Sequence, residues 1–201
     1  MTNELGPIPV KRRRGSDPIH RSRESLGASL QDFWEWSGSD LLGNTQRGIL
    51  AEFLVALDLG VTDGARDGWD AYDLRTPEGT KVEVKSAAYV QSWYQRDYSK
   101  LRFSITPTYA WDPKTDTFEK TKQRQADVYV FCVLAHKDQA SIDPLDVNQW
   151  VFHVISTANL NRAVGPRKTI GLTKLVALGA TKVKFGEIHA AISNVLSRGA
   201  E

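Results

Sequence analysis

The chain has 201 residues, 41% hydrophobic and 25% charged, enough for one ordinary domain with a sizeable core and typical of a soluble globular protein. No apolar run approaches a membrane span, the first residues lack the apolar stretch of a signal peptide, and the lone Cys132 excludes an internal disulfide, so the expected location is the cytoplasm. The formal charge of +2 divides into +3 on residues 1–25 and −1 on the rest, which confines any nucleic-acid footprint to a local patch or to the N-terminal tail.

Residues 1–27 lack hydrophobic periodicity and read as a disordered basic tail. The Lys11-Arg12-Arg13-Arg14 run has the chemistry to touch phosphates without sequence preference, and equally that of a solvated leader. Residues 28–201 are read as a single α/β domain, a mixed central sheet flanked by helices. Leu30, Phe33, Trp34 and Trp36 predict a short amphipathic helix that ends near Gly38, with its aromatics serving as packing.

Asn44 or Thr45 is a candidate cap for the next helix, and Gly60 its terminator. Ile49, Leu50, Phe53, Leu54, Ala56 and Leu57 make that helix apolar nearly all round, which predicts burial. Glu52 in its middle is the informative residue, because buried carboxylates are rare unless paired or on a metal. The pairing alternative is a salt bridge to an arginine such as Arg47.

After a polar connector over residues 61–68, the stretch from Trp69 to Trp93 predicts a β-hairpin. Lys81, Glu83 and Lys85 fall on one strand face, and Val82 and Val84 on the other. Pro77 and Gly79 suit a three-residue loop with a bulge at Gly79. In that register Asp73 lies across from Glu83. A two-residue loop would instead set Asp70 across from Lys85. The longer loop, and with it Asp73, is preferred, and Asp70 is the alternative. Adjacent carboxylates repel and raise each other's pKa, and a divalent cation relieves the repulsion. Mg²⁺ prefers such oxygens, with waters and substrate phosphate completing its shell, and the Val84 carbonyl is a further candidate ligand. Lys85 would stand beside the attacking water and offset charge building on the phosphate.

Downstream, Ser86, Tyr89, Gln91, Trp93, Tyr94, Arg96, Tyr98, Lys100 and Arg102 interleave aromatic, amide and basic groups. The pattern suits a phosphate- and base-contacting surface, and equally an exposed strand with aromatic pairs. Residues 101–105 predict a strand. Residues 107–126 predict a polar segment in which Lys114, Lys120, Lys122 and Arg124 either face substrate or, by default, solvent. The apolar run 127–135 predicts a central strand buried on both faces, with Cys132 an inert core thiol. A strand over 149–155, a helix over 158–164 broken at Gly165, and a terminal helix within 186–198 complete the pattern. Arg167 and Lys168 are candidate phosphate contacts. No phosphate-binding glycine loop, zinc spacing, nucleophilic triad or internal repeat is present.

Glu52 on a helix, Asp73 on a strand and the Glu83-Val84-Lys85 triplet stand in the order found in the PD-(D/E)XK, or restriction-endonuclease-like, nuclease superfamily. The chain resembles that superfamily from about Asn44 to Ala135, though Tyr72 rather than proline precedes Asp73. The resemblance implies a restriction-endonuclease-like core and a metal-dependent nuclease, with DNA as the expected substrate. It implies that Asp73 and Glu83 bind Mg²⁺ (with Mn²⁺ as a substitute), that Lys85 assists the water, and that Glu52 supports the metal or water. Gln91 would hold a phosphate or water, as downstream glutamines do in some relatives. The alternatives are a non-cleaving nucleic-acid-binding module and a nuclease subunit that needs a separate recognition partner. A homodimer is expected if both strands of a duplex are cut.

Overall fold

A computed structural model describes residues 5–6, 8–66, 68–112 and 115–198. Parts of the expected tail (residues 1–4 and 7), of the connector (residue 67) and of the basic segment (Lys114) lie outside the described residues.

The predicted tail contains regular structure. Strands β1 (Pro18–Arg21) and β2 (Glu24–Ser29) pair antiparallel. The turn between them holds Ser22 and Arg23 at φ of 47° and 82°. Both strands are short and mostly solvent-facing, with Ile19 and Leu26 themselves exposed, so they carry no alternation from which a sequence reading could detect them. Ser29 then caps helix α1 (Leu30–Gly38) through a capping box with Asp32. The helix forms as predicted, but none of its residues is buried, and Trp36 is 85% exposed.

Helix α2 (Asn44–Leu59) ends on Gly60, whose φ of 69° supplies the expected left-handed cap. Its N-cap is Gly43 rather than Asn44 or Thr45. Asn44 is already helical, and its amide oxygen accepts from Arg47 at 2.6 Å. The expectation of a largely buried helix is corrected. Ala51, Leu54, Val55 and Leu59 enter the core, whereas Ile49, Phe53 and Leu57 are between 38% and 50% exposed. Ile49 and Phe53 line a cavity beside Glu52, which accounts for apolar residues on that face.

The short strand β3 (Leu74–Arg75) pairs antiparallel with β4 (Lys81–Ala88). Strand β5 (Arg102–Ser104) follows a loop. Strands β6 (Trp111–Asp112) and β7 (Thr117–Phe118) form a small exposed hairpin inside the predicted polar segment. Strand β8 (Val128–Leu134) is buried at every residue, as its composition predicts. Strand β9 (Trp150–Ser156) leads into helix α3 (Thr157–Val164), capped by Ser156, whose hydroxyl accepts from the Asn159 amide. Strand β10 (Thr169–Gly171), helix α4 (Leu172–Ala177), strand β11 (Thr181–Val183) and helix α5 (Ile188–Ser197) complete the chain.

The central sheet has the order β11-β9-β8-β4-β3. Strands β4 and β8 run parallel, and the other neighbours are antiparallel, so the fold is the expected mixed α/β arrangement. Strand alternation splits the core. Val82, Val84, Val128, Val130 and Cys132 pack with α2 and α5. Ala87, Tyr129, Phe131 and Val133 pack on the other side with Phe103, Leu160, Ile170 and Leu175.

Two polar features fix the layers. The Asp58 carboxylate at the end of α2 accepts from the amides of Gly186, Ile188 (3.5 Å) and His189 (3.2 Å), tying α2 to the start of α5. On the other side, Arg124 is buried rather than facing solvent or substrate. Its guanidinium donates to the carbonyls of Ile105 (2.8 Å), Gly165 (3.0 Å) and Arg167 (2.8 Å) and to the Asn161 side chain.

Candidate active site

The site is built around the turn of the β3–β4 hairpin. The Thr76 amide donates to the Thr80 carbonyl at 2.9 Å, and the Gly79 amide donates to the Thr76 carbonyl at 2.9 Å. Gly79 adopts φ of 94°, a conformation that residues with a Cβ rarely take. The loop is therefore Pro77-Glu78-Gly79. Leu74 pairs with Val82 and Arg75 with Lys81, which continues to Asp73 opposite Glu83. The register selects Asp73 over Asp70 for that position.

Asp73 lies just before β3. Its amide donates to the Val82 carbonyl at 3.1 Å, and its carboxylate accepts from the Val84 amide at 2.7 Å. The strand amide beyond the end of the two-residue β3 is thus satisfied by a side chain. Burial and the neighbouring Glu83 carboxylate push the Asp73 carboxyl up to about 6, against the pull of Lys85 and the Val84 amide, and Glu52 adds to the rise. Glu83 and Lys85 share the β4 face opposite Val82 and Val84, and their side chains form an ion pair at 2.5 Å. Both are largely withdrawn from solvent, at 18% and 27% exposed.

Glu52 reaches the same neighbourhood from α2. Its partner is Arg66 in the connector, one contact being Nη2 to Oε1 at 3.0 Å, and not Arg47. Arg47 is buried and donates to the Leu42 carbonyl at 2.7 Å and to Gln91 Oε1 at 2.8 Å. A cavity of about 360 Å³ opens beside Glu52 and Asp73. Ile49, Phe53, Asp70, Tyr72 and the connector residues around Arg66 also line it.

Among Glu52, Asp73, Glu83 and Lys85, Asp73 is the common member: Glu83 and Lys85 act on its charge from β4 and Glu52 acts on it from α2, while Glu52 and Asp73, but not Glu83 or Lys85, line the cavity. Among the described residues no group of three or more His, Cys, Asp or Glu side chains stands ready to cage a metal ion, and Lys85 and Arg66 neutralise two of the acids. The donor set suits a hard cation bound mostly by water and substrate, since Mg²⁺ needs only one or two carboxylates. The Asp73 carboxyl is raised first by its burial and then by the Glu83 charge.

Gln91 is not free to hold a phosphate or water. Its amide nitrogen donates to the Ala88 carbonyl at 2.9 Å and to Ser99 Oγ at 3.2 Å, and its oxygen is taken by Arg47. These bonds pin the loop between β4 and β5, which exposes Trp93, Tyr94 and Tyr98. Lys137 lies over the rings of Tyr89 and Tyr98, at 4.5 and 5.3 Å from their centroids. Arg167 and Lys168 are exposed, with their backbone carbonyls serving Arg124 and Ile105.

Two site neighbours escape a sequence reading. Arg66 sits in a connector without periodicity. Tyr129 pairs in register with Glu83 across β4 and β8, and burial together with the Glu83 charge pushes its phenol well up. Alternation puts Tyr129 on a face of β8, but only the parallel register shows that Glu83 shares it.

No curated protein and no solved structure matches the chain significantly. The profile of the family described as bacteriophage T4 endonuclease IV matches residues 20–168, which include Glu52, Asp73, Glu83 and Lys85. With well over half of its length matched, the chain belongs to the bacteriophage T4 endonuclease IV family of nucleases.

Proposed function

We propose that this family member is a Mg²⁺-dependent endonuclease that hydrolyses phosphodiester bonds in DNA, on a core like that of the PD-(D/E)XK nucleases. The observation that carries the reading is Asp73. It lies opposite Glu83 and close to Lys85 and Glu52, and its carboxyl is raised by burial and by those acids. In this reading Asp73 and Glu83 hold the ion, which when bound supplies charge stabilisation to the phosphate. Lys85 exchanges its pairing with Glu83 for a position beside the attacking water. It orients the water and offsets the charge that develops on the phosphate. Glu52, held by Arg66, completes the acidic set. The water oxygen bonds to phosphorus as the bond to the leaving sugar oxygen breaks.

Plasmid, linear and single-stranded DNA incubated with Mg²⁺, Mn²⁺ or chelator tests the reading. Cleavage should need the metal. Lys85→Ala, Glu83→Ala and Asp73→Ala should each lower kcat by about 10²–10⁴, the usual span for losing an electrostatic or proton-handling group. Full activity in all three variants, or in chelator, refutes the site. Tight binding with no product under any metal favours a non-cleaving module instead.

A further inference from the structure

The Lys11–Arg14 run, which the chemistry above does not use, is brought to the candidate active site. The Arg12 guanidinium donates to the Thr62 carbonyl at 2.9 Å, 50 residues away in sequence, and Arg12 lines the same cavity as Glu52 and Asp73. The segment is fastened at its other end as well. The Gln31 amide donates to the Gly15 carbonyl and the Leu30 amide to the Asp17 carbonyl, both at 2.9 Å, so its base is tied to the start of α1.

The charges around the cavity make this placement informative. Glu52, Asp70 and Asp73 line it, and a phosphate backbone brought to those carboxylates meets repulsion. Of the lining cations, Arg66 is engaged by Glu52, and Arg75 by the Tyr72 hydroxyl and ring. Arg12 is bonded to a neutral carbonyl and forms no ion pair among the described residues. Together with Lys11, Arg13 and Arg14 it makes a run of four consecutive exposed positive charges, anchored at the cavity by Arg12. Arg13 has only a long 3.8 Å contact with Asp17 across solvent, which an incoming phosphate can replace at small cost. The run precedes residues 20–168, the part that the family profile matches.

We infer that Lys11, Arg12, Arg13 and Arg14 form a phosphate-contacting arm that holds the polyanionic backbone of the substrate at the rim of the Glu52–Asp73 cavity, independent of base sequence. The arm is a positioning element, and the inference rests on the endonuclease reading.

The test compares the full chain with the triple variant R12A/R13A/R14A and with R13A/R14A, which keeps the Arg12–Thr62 anchor. Binding of a fluorescein-labelled DNA oligonucleotide is measured in chelator over a series of NaCl concentrations, and kcat and KM are measured in Mg²⁺. The triple variant should bind on the order of tenfold more weakly at low salt. The slope of log K against log salt should fall by about 1 for each phosphate that the arm no longer neutralises. The effect should appear in KM rather than kcat, and R13A/R14A should show a smaller change in the same direction. Unchanged binding and slope overturn the arm, as does a rise in kcat/KM in the triple variant, which would make the segment a plug over the cavity. If the unmodified chain binds but never cleaves, the endonuclease reading fails while the binding comparison still decides the arm.

Discussion

Arg124 and Asp73 are both charged side chains largely removed from water, and they are treated in opposite ways. The Arg124 guanidinium is met by three backbone carbonyls and an amide oxygen, contributed from before β6, from α3 and from the loop behind it. Asp73 receives one backbone amide and is crowded by Glu83 and Glu52. A buried charge met by hydrogen bonds from several segments stitches those segments together. One crowded by charges of the same sign is held at a cost that protonation or an added cation relieves.

Three substitutions sharpen this contrast. Arg124→Ala strips partners from several buried acceptors at once, and should cost about 3 kcal/mol or more in chemical denaturation. A loss below about 1 kcal/mol would mean that water replaces the guanidinium freely. Asp73→Asn should act in the other direction. With the folded-state carboxyl raised to about 6, the unfolded chain ionises more readily. The group therefore supports folding fully only below its ordinary value near 4, and that support is lost as pH rises through about 6. The asparagine oxygen still accepts from Val84, so the metal-free variant should be more stable than the parent by roughly 1–3 kcal/mol at neutral pH. The gap should close near pH 4, as followed by thermal unfolding in chelator. A variant less stable than the parent at neutral pH would show that Asp73 is a well-satisfied structural residue. Arg66→Ala removes a partner that is itself about half exposed, and should shift stability by less than about 1 kcal/mol. A larger loss in the same unfolding assay would place Glu52 with the structural charges rather than with the site.

The pairing of Asp73 with Glu83 is legible in the sequence because its determinants are local. Pro77 and Gly79 set the loop length, and loop length sets which side chains oppose one another. The central strand β8 and helices α2, α3 and α5 are legible for the same reason, since each is a sustained run of one period or one composition. What escapes depends on contacts between distant segments. The side-chain amide of Gln91 is occupied by Arg47 and Ser99, and Arg124 is drawn inward by carbonyls that follow it by some forty residues. Strands of two or three residues such as β3, β6 and β10 are too short to show a period at all. The exposed aromatics of α1 mark the reverse failure, an amphipathic signal that the fold leaves uncovered.

The clasp between Asp58 and the amides that open α5 extends the reach of the C-terminal segment. Glu52 rides on the same rigid rod as Asp58, less than two turns away. Helix α5 supplies none of the four candidate site residues and lies beyond the stretch that the family profile matches, yet it acts as a strut against α2. Loosening that strut would shift the Glu52 carboxylate without touching it, so the aim of a candidate site residue depends in part on a helix that supplies none of the candidate residues.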